Sequence, residues 1–192
     1  PYFLKARVCV CLGSGGGYVP RLMIDATWEL GETNMYPENE YGEVYVVDAT
    51  NSVNGEVDWA DDDSYLRSHF KVKFLNMTTK DAFYNFFVKR DIKIDYLHID
   101  ADHTYEGCKL DFDLYSTLMN ENGIISIHDT DEKYMESFAT YEDESHDLCM
   151  GPSKFIKEIS DEWEVFNLFD YKEKSEMLPS SGLTLLRRKD EV

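Results

Sequence analysis

Short apolar, β-branched runs alternate along this chain with longer stretches of helical spacing, and that alternation restricts the fold more than any other feature. The runs are Arg7–Leu12, Val44–Asp48, Val72–Leu75, Ile94–Asp100 and Gly123–His128. Helical spacing occupies about Tyr18–Leu30, Asp62–Phe70, Lys80–Arg90 and Tyr105–Met119. Five strands alternating with helices predict an α/β fold, a parallel sheet covered by helices on both faces. Pro20 suits the first turn of the first helix and Gly31 its end. After Asp129 the pattern changes. A helix is expected near Ser153–Ile159, followed by two strands, Glu164–Phe169 and Leu183–Arg188. The turn-rich Tyr171–Gly182 segment between them predicts an antiparallel pair at one edge, for seven strands in all. With 192 residues and no internal repeat or low-complexity linker, residues 1–192 read as one domain.

Charge and composition limit the partners. The chain holds 38 acidic and 19 basic residues, a formal charge of −19, yet 43% hydrophobic and 14% aromatic content is ample for a core. Such a field repels phosphate backbones and anionic membrane surfaces, so neither nucleic acid nor membrane is expected. Cationic ligands, metal ions and neutral substrates are permitted. No apolar run approaches the roughly 20 residues of a membrane helix. Pro1–Arg7 is too short and too polar for a signal peptide, and the missing initiator Met reads as a trimmed or partial chain. Cys9, Cys11, Cys108 and Cys149 form no C-x-x-C pair and read as reduced thiols in the cytoplasm. Glu32–Glu43 reads as a surface insertion. Asp131–Cys149 follows a strand end and is placed to act as a lid or substrate loop, an inert excursion being the alternative.

The first strand runs into Gly13-Ser14-Gly15-Gly16-Gly17-Tyr18. Glycines there let the backbone turn sharply and approach a ligand closely. A dinucleotide fingerprint from Gly13 needs Gly or Ala where Tyr18 stands, one from Gly15 meets Pro20, and no P-loop lysine follows. The loop is G-x-G-x-G, suited to a nucleoside ligand without a pyrophosphate; a plain flexible turn is the alternative. Strand two ends at Asp48, 48 − 15 = 33 residues beyond Gly15, the insertion accounting for the excess over the minimal unit. An acid there can accept both ribose hydroxyls.

The most specific block is His98-Ile99-Asp100-Ala101-Asp102-His103-Thr104-Tyr105-Glu106-Gly107, followed by Gly123-Ile124-Ile125-Ser126-Ile127-His128-Asp129. Adjacent parallel strands would bring Asp100, Asp102 and His103 beside His128 and Asp129. So many ionisable groups strain an empty crevice, and a divalent cation relieves it; oxygen-rich donors with one imidazole favour Mg²⁺, Mn²⁺ or Ca²⁺. Asp102 has a helix-capping alternative, His98 reads as a satisfied core histidine rather than a ligand, and His128 has the alternative of a hydrogen-bonded strand residue.

The order of these motifs closely resembles class I S-adenosylmethionine-dependent methyltransferases, nearest the branch of metal-dependent sugar O-methyltransferases and cephalosporin-hydroxylase-like proteins. The likeness extends over nearly the whole chain, including Ser181-Gly182-Leu183-Thr184-Leu185-Leu186-Arg187-Arg188. It implies a Rossmann-like sheet, mostly parallel and seven-stranded, with an antiparallel C-terminal edge pair. It further implies that Gly13, Ser14, Gly15 and Gly17 wrap the methionine part of the cofactor, with Asp48 on the ribose, Asn76 and Met77 flanking the adenine, and Asp100 beside it. Asp100, His128 and Asp129 match the metal positions, with Mg²⁺ the expected ion, and Asp102 or His103 would take the acceptor's proton. The acceptor would be a small-molecule hydroxyl, sugar-like or phenolic; a homo-oligomer is left open. Two departures stand out: Cys11 where the family usually carries an acid, and the helices usual before strand one are not seen. They motivate the alternative of a catalytically silent cofactor-binding accessory protein. An NAD-dependent oxidoreductase is disfavoured by Tyr18.

Overall fold

The computed structural model describes residues 3–15, 17–33, 41–50, 71–138, 150–159, 161–168 and 181–189. Strand β1 (Val8–Leu12) has Cys9, Val10, Cys11 and Leu12 fully buried, as expected of a central strand covered on both faces. It pairs in parallel with β2 (Glu43–Asp48) on one side and β4 (Ile94–Ile99) on the other. Strand β3 (Val72–Asn76) flanks β2, and β5 (Met119–His128) flanks β4, both in parallel. Strand β7 (Leu183–Arg188) lies antiparallel to β5, and β6 (Trp163–Leu168) closes the edge antiparallel to β7. The order is β3-β2-β1-β4-β5-β7-β6. The chain leaves β1 toward β2 and later returns to β4 on the opposite side, so the carboxyl ends of β1 and β4 form the crevice where such sheets bind ligands.

Each face has its own apolar layer. Helix α1 (Tyr18–Glu32) buries Met23 and Ile24 against Cys9, Cys11, Val44 and Val46. The opposite face carries α2 (Thr79–Ala82), α3 (Tyr105–Tyr115) and α5 (Gly151–Ile156), which cover Val10, Leu12, Leu97, Ile99, Ile125 and Ile127. Fully burying one such side chain contributes about 1.5–3 kcal/mol. Aromatic rings lock the second layer, with Phe112 5.2 Å from both Phe155 and Trp163.

The departures from the expected elements have physical causes. A continuous helix was expected over Lys80–Arg90; α2 passes instead into a π turn (Phe83–Phe87) and a 3₁₀ turn (Val88–Arg90). The wider turn lets Phe83 and Phe87 both reach Tyr115, at 5.4 and 5.5 Å. The third helix ends at Tyr115, and β5 starts at Met119 rather than Gly123, because a register shift between Ile94 and Tyr96 lets Met119 pair with Ile94. Where a loop was expected from Asp131, a helix α4 (Glu132–Phe138) begins, capped by the Asp131 carboxylate, which accepts from the Lys133 N–H at 3.1 Å. The expected helix Asp62–Phe70, most of the Glu32–Glu43 insertion and residues 139–149 lie outside the described residues. Among the described residues no helix is long and apolar enough to cross a membrane.

Candidate active site

The crevice is a cavity of about 560 Å³, within the roughly 300–1,000 Å³ of small-molecule sites. Its walls are Gly13–Gly15, the Asp48 end of β2, Thr78 and Thr79 at the start of α2, and Asp100–His103. Gly13 sits at φ 78°, and a Cβ there would lie 2.0 Å from the Asp100 carbonyl oxygen, so only glycine lets β1 and β4 end this close together. Backbone bonds tie the three central strand ends: Gly13 N–H to the Val47 carbonyl and Asp100 N–H to the Leu12 carbonyl, each at 2.9 Å. Gly17 stands apart from the wall as the N-cap of α1. Cys11 is buried, its thiol 3.0 Å from the Gly13 carbonyl. Burial, then the charges of Asp100 and Asp48, push that thiol well above its ordinary pKa, so it stays neutral. The position where an acid was expected thus adds no third charge beside Asp48 and Asp100.

Asp48 is fully engaged. One oxygen accepts from the Ser14 N–H at 2.9 Å and the Ser14 hydroxyl; the other accepts from the Thr50 N–H and hydroxyl, both at 2.9 Å. Burial alone would raise its pKa, but the bonds from Ser14 and Thr50 hold it below the usual carboxylate range. A ligand diol can bind by displacing the two side-chain hydroxyls, which rotate away while the backbone donors stay. Asn76 donates to the Asp48 carbonyl at 3.1 Å, and Met77 packs against the core; the cavity wall at that level is Thr78 and Thr79.

At the other end Asp100 is the hub. His103 Nε2 lies 3.1 Å from its Oδ1, and His128 Nδ1 lies 3.2 Å from the same oxygen. Asp129 approaches both rings, 3.3 Å from His103 Nδ1 and 3.0 Å from His128 Nδ1. Burial opposes ionisation of both carboxylates, yet the imidazoles outweigh it and hold Asp100 well below, and Asp129 below, the usual range. In return, hydrogen bonds to Asp100 and Asp129 raise His128 to about 10, and Asp100 raises His103. Asp129 turns the end of β5 at φ 57°, a conformation that costs a non-glycine residue about 1–2 kcal/mol and aims its carboxylate back into the cluster. Donor atoms of Asp100, His103 and Asp129 lie within 4.8 Å of one another, a spacing that a metal ion can bridge. Asp102 does not join them; it is exposed on the cavity wall and accepts the Thr104 N–H at 2.9 Å, while Thr104 caps α3.

Two contributors escaped the sequence reading. Ser181 holds His128 Nε2 from the start of β7, at 3.1 Å. Gly151 packs the first turn of α5 onto the His103 loop, its N–H donating to the His103 carbonyl at 3.1 Å. Both depend on contacts between segments far apart in sequence, for which no local pattern exists. His98, read from the sequence as a satisfied core histidine, is buried beside Asp100.

The sequence model of a family described as "Methyltransferase domain" matches residues 10–130, from β1 to just past β5. The chain belongs to the methyltransferase-domain family. The motif resemblance, drawn from the glycine loop and the two acid–histidine blocks, is thus confirmed at the family level. Solved methyltransferases share its fold. The O-methyltransferase TomG from Streptomyces achromogenes, involved in tomaymycin synthesis and solved with SAM, superposes with TM-score 0.68 at 13% identity, covering 98% of this chain and 76% of that one. An O-methyltransferase from Bacillus cereus solved with SAH gives 0.65 at 16% identity, covering 98% and 76%. SAH-bound PaMTH1 from Podospora anserina gives 0.64 at 15% identity, covering 97% and 73%. No curated protein matches this methyltransferase-domain chain in sequence.

Proposed function

We propose that this methyltransferase-domain protein transfers a methyl group from S-adenosylmethionine to the hydroxyl of a small molecule, assisted by a divalent cation at the Asp100–Asp129 cluster. One observation carries the reading: a single cavity runs from Asp48, an acid able to take a ribose diol, to Asp100 and His103 at the imidazole–carboxylate cluster. The similar O-methyltransferases from Streptomyces achromogenes and Bacillus cereus, solved with SAM and SAH, support the same cofactor. The donor chemistry fits a cation, since two ionised carboxylates and two imidazoles converge where the described residues supply only protons as counter-charge. When bound, the cofactor supplies an activated sulfonium methyl and the cation supplies Lewis acidity.

Everything else falls to the chain. Asp48 and Ser14 orient the sugar, and the Gly13–Gly15 turn leaves room for the amino-acid portion. Asp100, Asp129, His128 and His103 would hold the cation. Asp102 takes the acceptor's proton at its free carboxylate oxygen. It suits that task better than His103, whose two ring nitrogens both face carboxylates. The acceptor enters at the Asp102–His103 end of the cavity, and a sugar-like or phenolic hydroxyl matches the polar wall there.

Calorimetric titration of S-adenosylmethionine tests the cofactor directly. Micromolar binding that drops at least about tenfold in Asp48→Ala is expected; no heat from a folded sample at high micromolar cofactor would refute the reading. Release of S-adenosylhomocysteine against a panel of sugar and phenolic hydroxyls then tests turnover. Binding without turnover on any of them would leave a cofactor-binding accessory protein.

A further inference from the structure

His98 lies on β4 two residues before Asp100, on the side of the sheet that faces Val19 and Met23 of α1, and its side chain is 3% exposed. Its Nδ1 lies 2.9 Å from the Ser126 hydroxyl, which also reaches the Tyr96 hydroxyl at 2.9 Å and the Leu97 carbonyl at 3.2 Å. In the tautomer with the ring proton on Nδ1, donated to Ser126, Nε2 presents a bare lone pair. That nitrogen is buried without a hydrogen-bond partner and lies 3.9 Å from Asp100 Oδ2. In that tautomer two electron-rich atoms face each other, Nε2 itself being out of reach of solvent. An unsatisfied buried polar atom costs about 1–3 kcal/mol, and facing a carboxylate adds repulsion. A positive charge held by both atoms removes both penalties.

The surroundings have the form of a metal-ligand support. A ligating imidazole typically donates its second nitrogen to a fixed acceptor, which sets the ring's orientation, and Ser126, itself held by Tyr96 and Leu97, is that acceptor. Resting on the cation reading above, we propose that His98 Nε2 is the inner ligand of that cation. With it the site selects a nitrogen-seeking transition ion such as Co²⁺ or Zn²⁺ over Mg²⁺. Mg²⁺ takes oxygen ligands and keeps its waters, whereas imidazole suits the later transition ions. The expectation of Mg²⁺ counted one imidazole; His98, His103 and His128 bring three to the Asp100 carboxylate.

The chelator-treated chain, titrated with CoCl₂ and separately with MgCl₂, tests this through calorimetry and the visible ligand-field bands of Co²⁺. Co²⁺ is expected to bind at least about 100-fold more tightly than Mg²⁺. His98→Ala is expected to weaken Co²⁺ about tenfold or more and to alter its bands. His98→Asn, which keeps a donor toward Ser126 while removing the ring nitrogen, should do the same if the alanine variant fails to fold. Wild-type affinity and bands in a folded His98 variant, or equal affinity for the two ions, would overturn the assignment. S-adenosylmethionine titrated in chelator separates the two readings. Loss of cofactor binding with the Co²⁺ response intact removes the methyltransferase reading alone; the converse removes the His98 assignment alone.

Discussion

Asp111 shows how one buried acid can set a pH dependence. It is 1% exposed on α3, its Oδ2 has no partner, and burial raises its pKa to about 6 against a hydrogen bond with Thr79. The folded protein thus holds this proton more tightly than the unfolded chain does. Its contribution is most favourable below about pH 4, declines as pH rises to about 6, and is constant above that. The full penalty is on the order of 3 kcal/mol. Asp111→Asn should therefore gain stability relative to wild type between pH 4 and pH 7, by about 2–3 kcal/mol in urea unfolding. A difference that does not change with pH would contradict this. Gly13 and Gly15 make a second residue-scale contrast. Gly13→Ala meets the Asp100 carbonyl and should lose at least about 2 kcal/mol, roughly 4–8 °C in Tm. At Gly15 a Cβ meets nothing within 4 Å, so Gly15→Ala should lose only about 1–2 kcal/mol to its φ of 47°. Its larger effect should be on cofactor affinity, read by calorimetry.

Among elements, α5 is short, yet it holds the loop that carries His103. A Cβ on Gly151 would lie 2.2 Å from the Thr104 carbonyl carbon and 2.3 Å from the His103 carbonyl oxygen. Gly151→Ala must push α5 away from the start of α3. It should lower Tm and also weaken metal binding, whereas a comparable surface substitution such as Lys154→Ala should leave both within about 0.5 kcal/mol. The strands were readable because their β-branched runs are local. The C-terminal pair was readable too, although β7 inserts between β5 and β6 and so also orders His128 through Ser181. The π turn after α2 was not readable, since Phe83 and Phe87 adopt it to meet Tyr115, about 30 residues away, and nothing in their own segment encodes that demand. Asp100, His103, His128 and Asp129 were legible for a simple reason: each ends or follows one of two strands expected to be neighbours. Asn76 and Met77 were placed by analogy of position; the residues that wall the cavity just beyond them are Thr78 and Thr79.

For the whole molecule, the charge of −19 is a term in stability as well as in partner choice. Like charges repel in the compact state, and salt screens them. Raising ionic strength from about 0.01 M to about 0.15 M shortens the screening length from roughly 30 Å to roughly 8 Å, so Tm should rise across that range. A Tm that falls would mean that ion pairs such as Lys73–Glu43 and Arg187–Glu164 outweigh the repulsion.

The stitching of β2, β1 and β4 by the Gly13–Val47 and Asp100–Leu12 bonds has a kinetic consequence. Those bonds hold the glycine turn, Asp48 and Asp100 in place through the chain's own backbone, so the cationic nucleoside proposed above would meet these groups already assembled. Its capture is then governed by diffusion and by the pull of the acidic rim rather than by folding of the site around it. In stopped-flow measurements the observed rate should climb linearly with cofactor concentration, without a plateau, and should slow as salt is added.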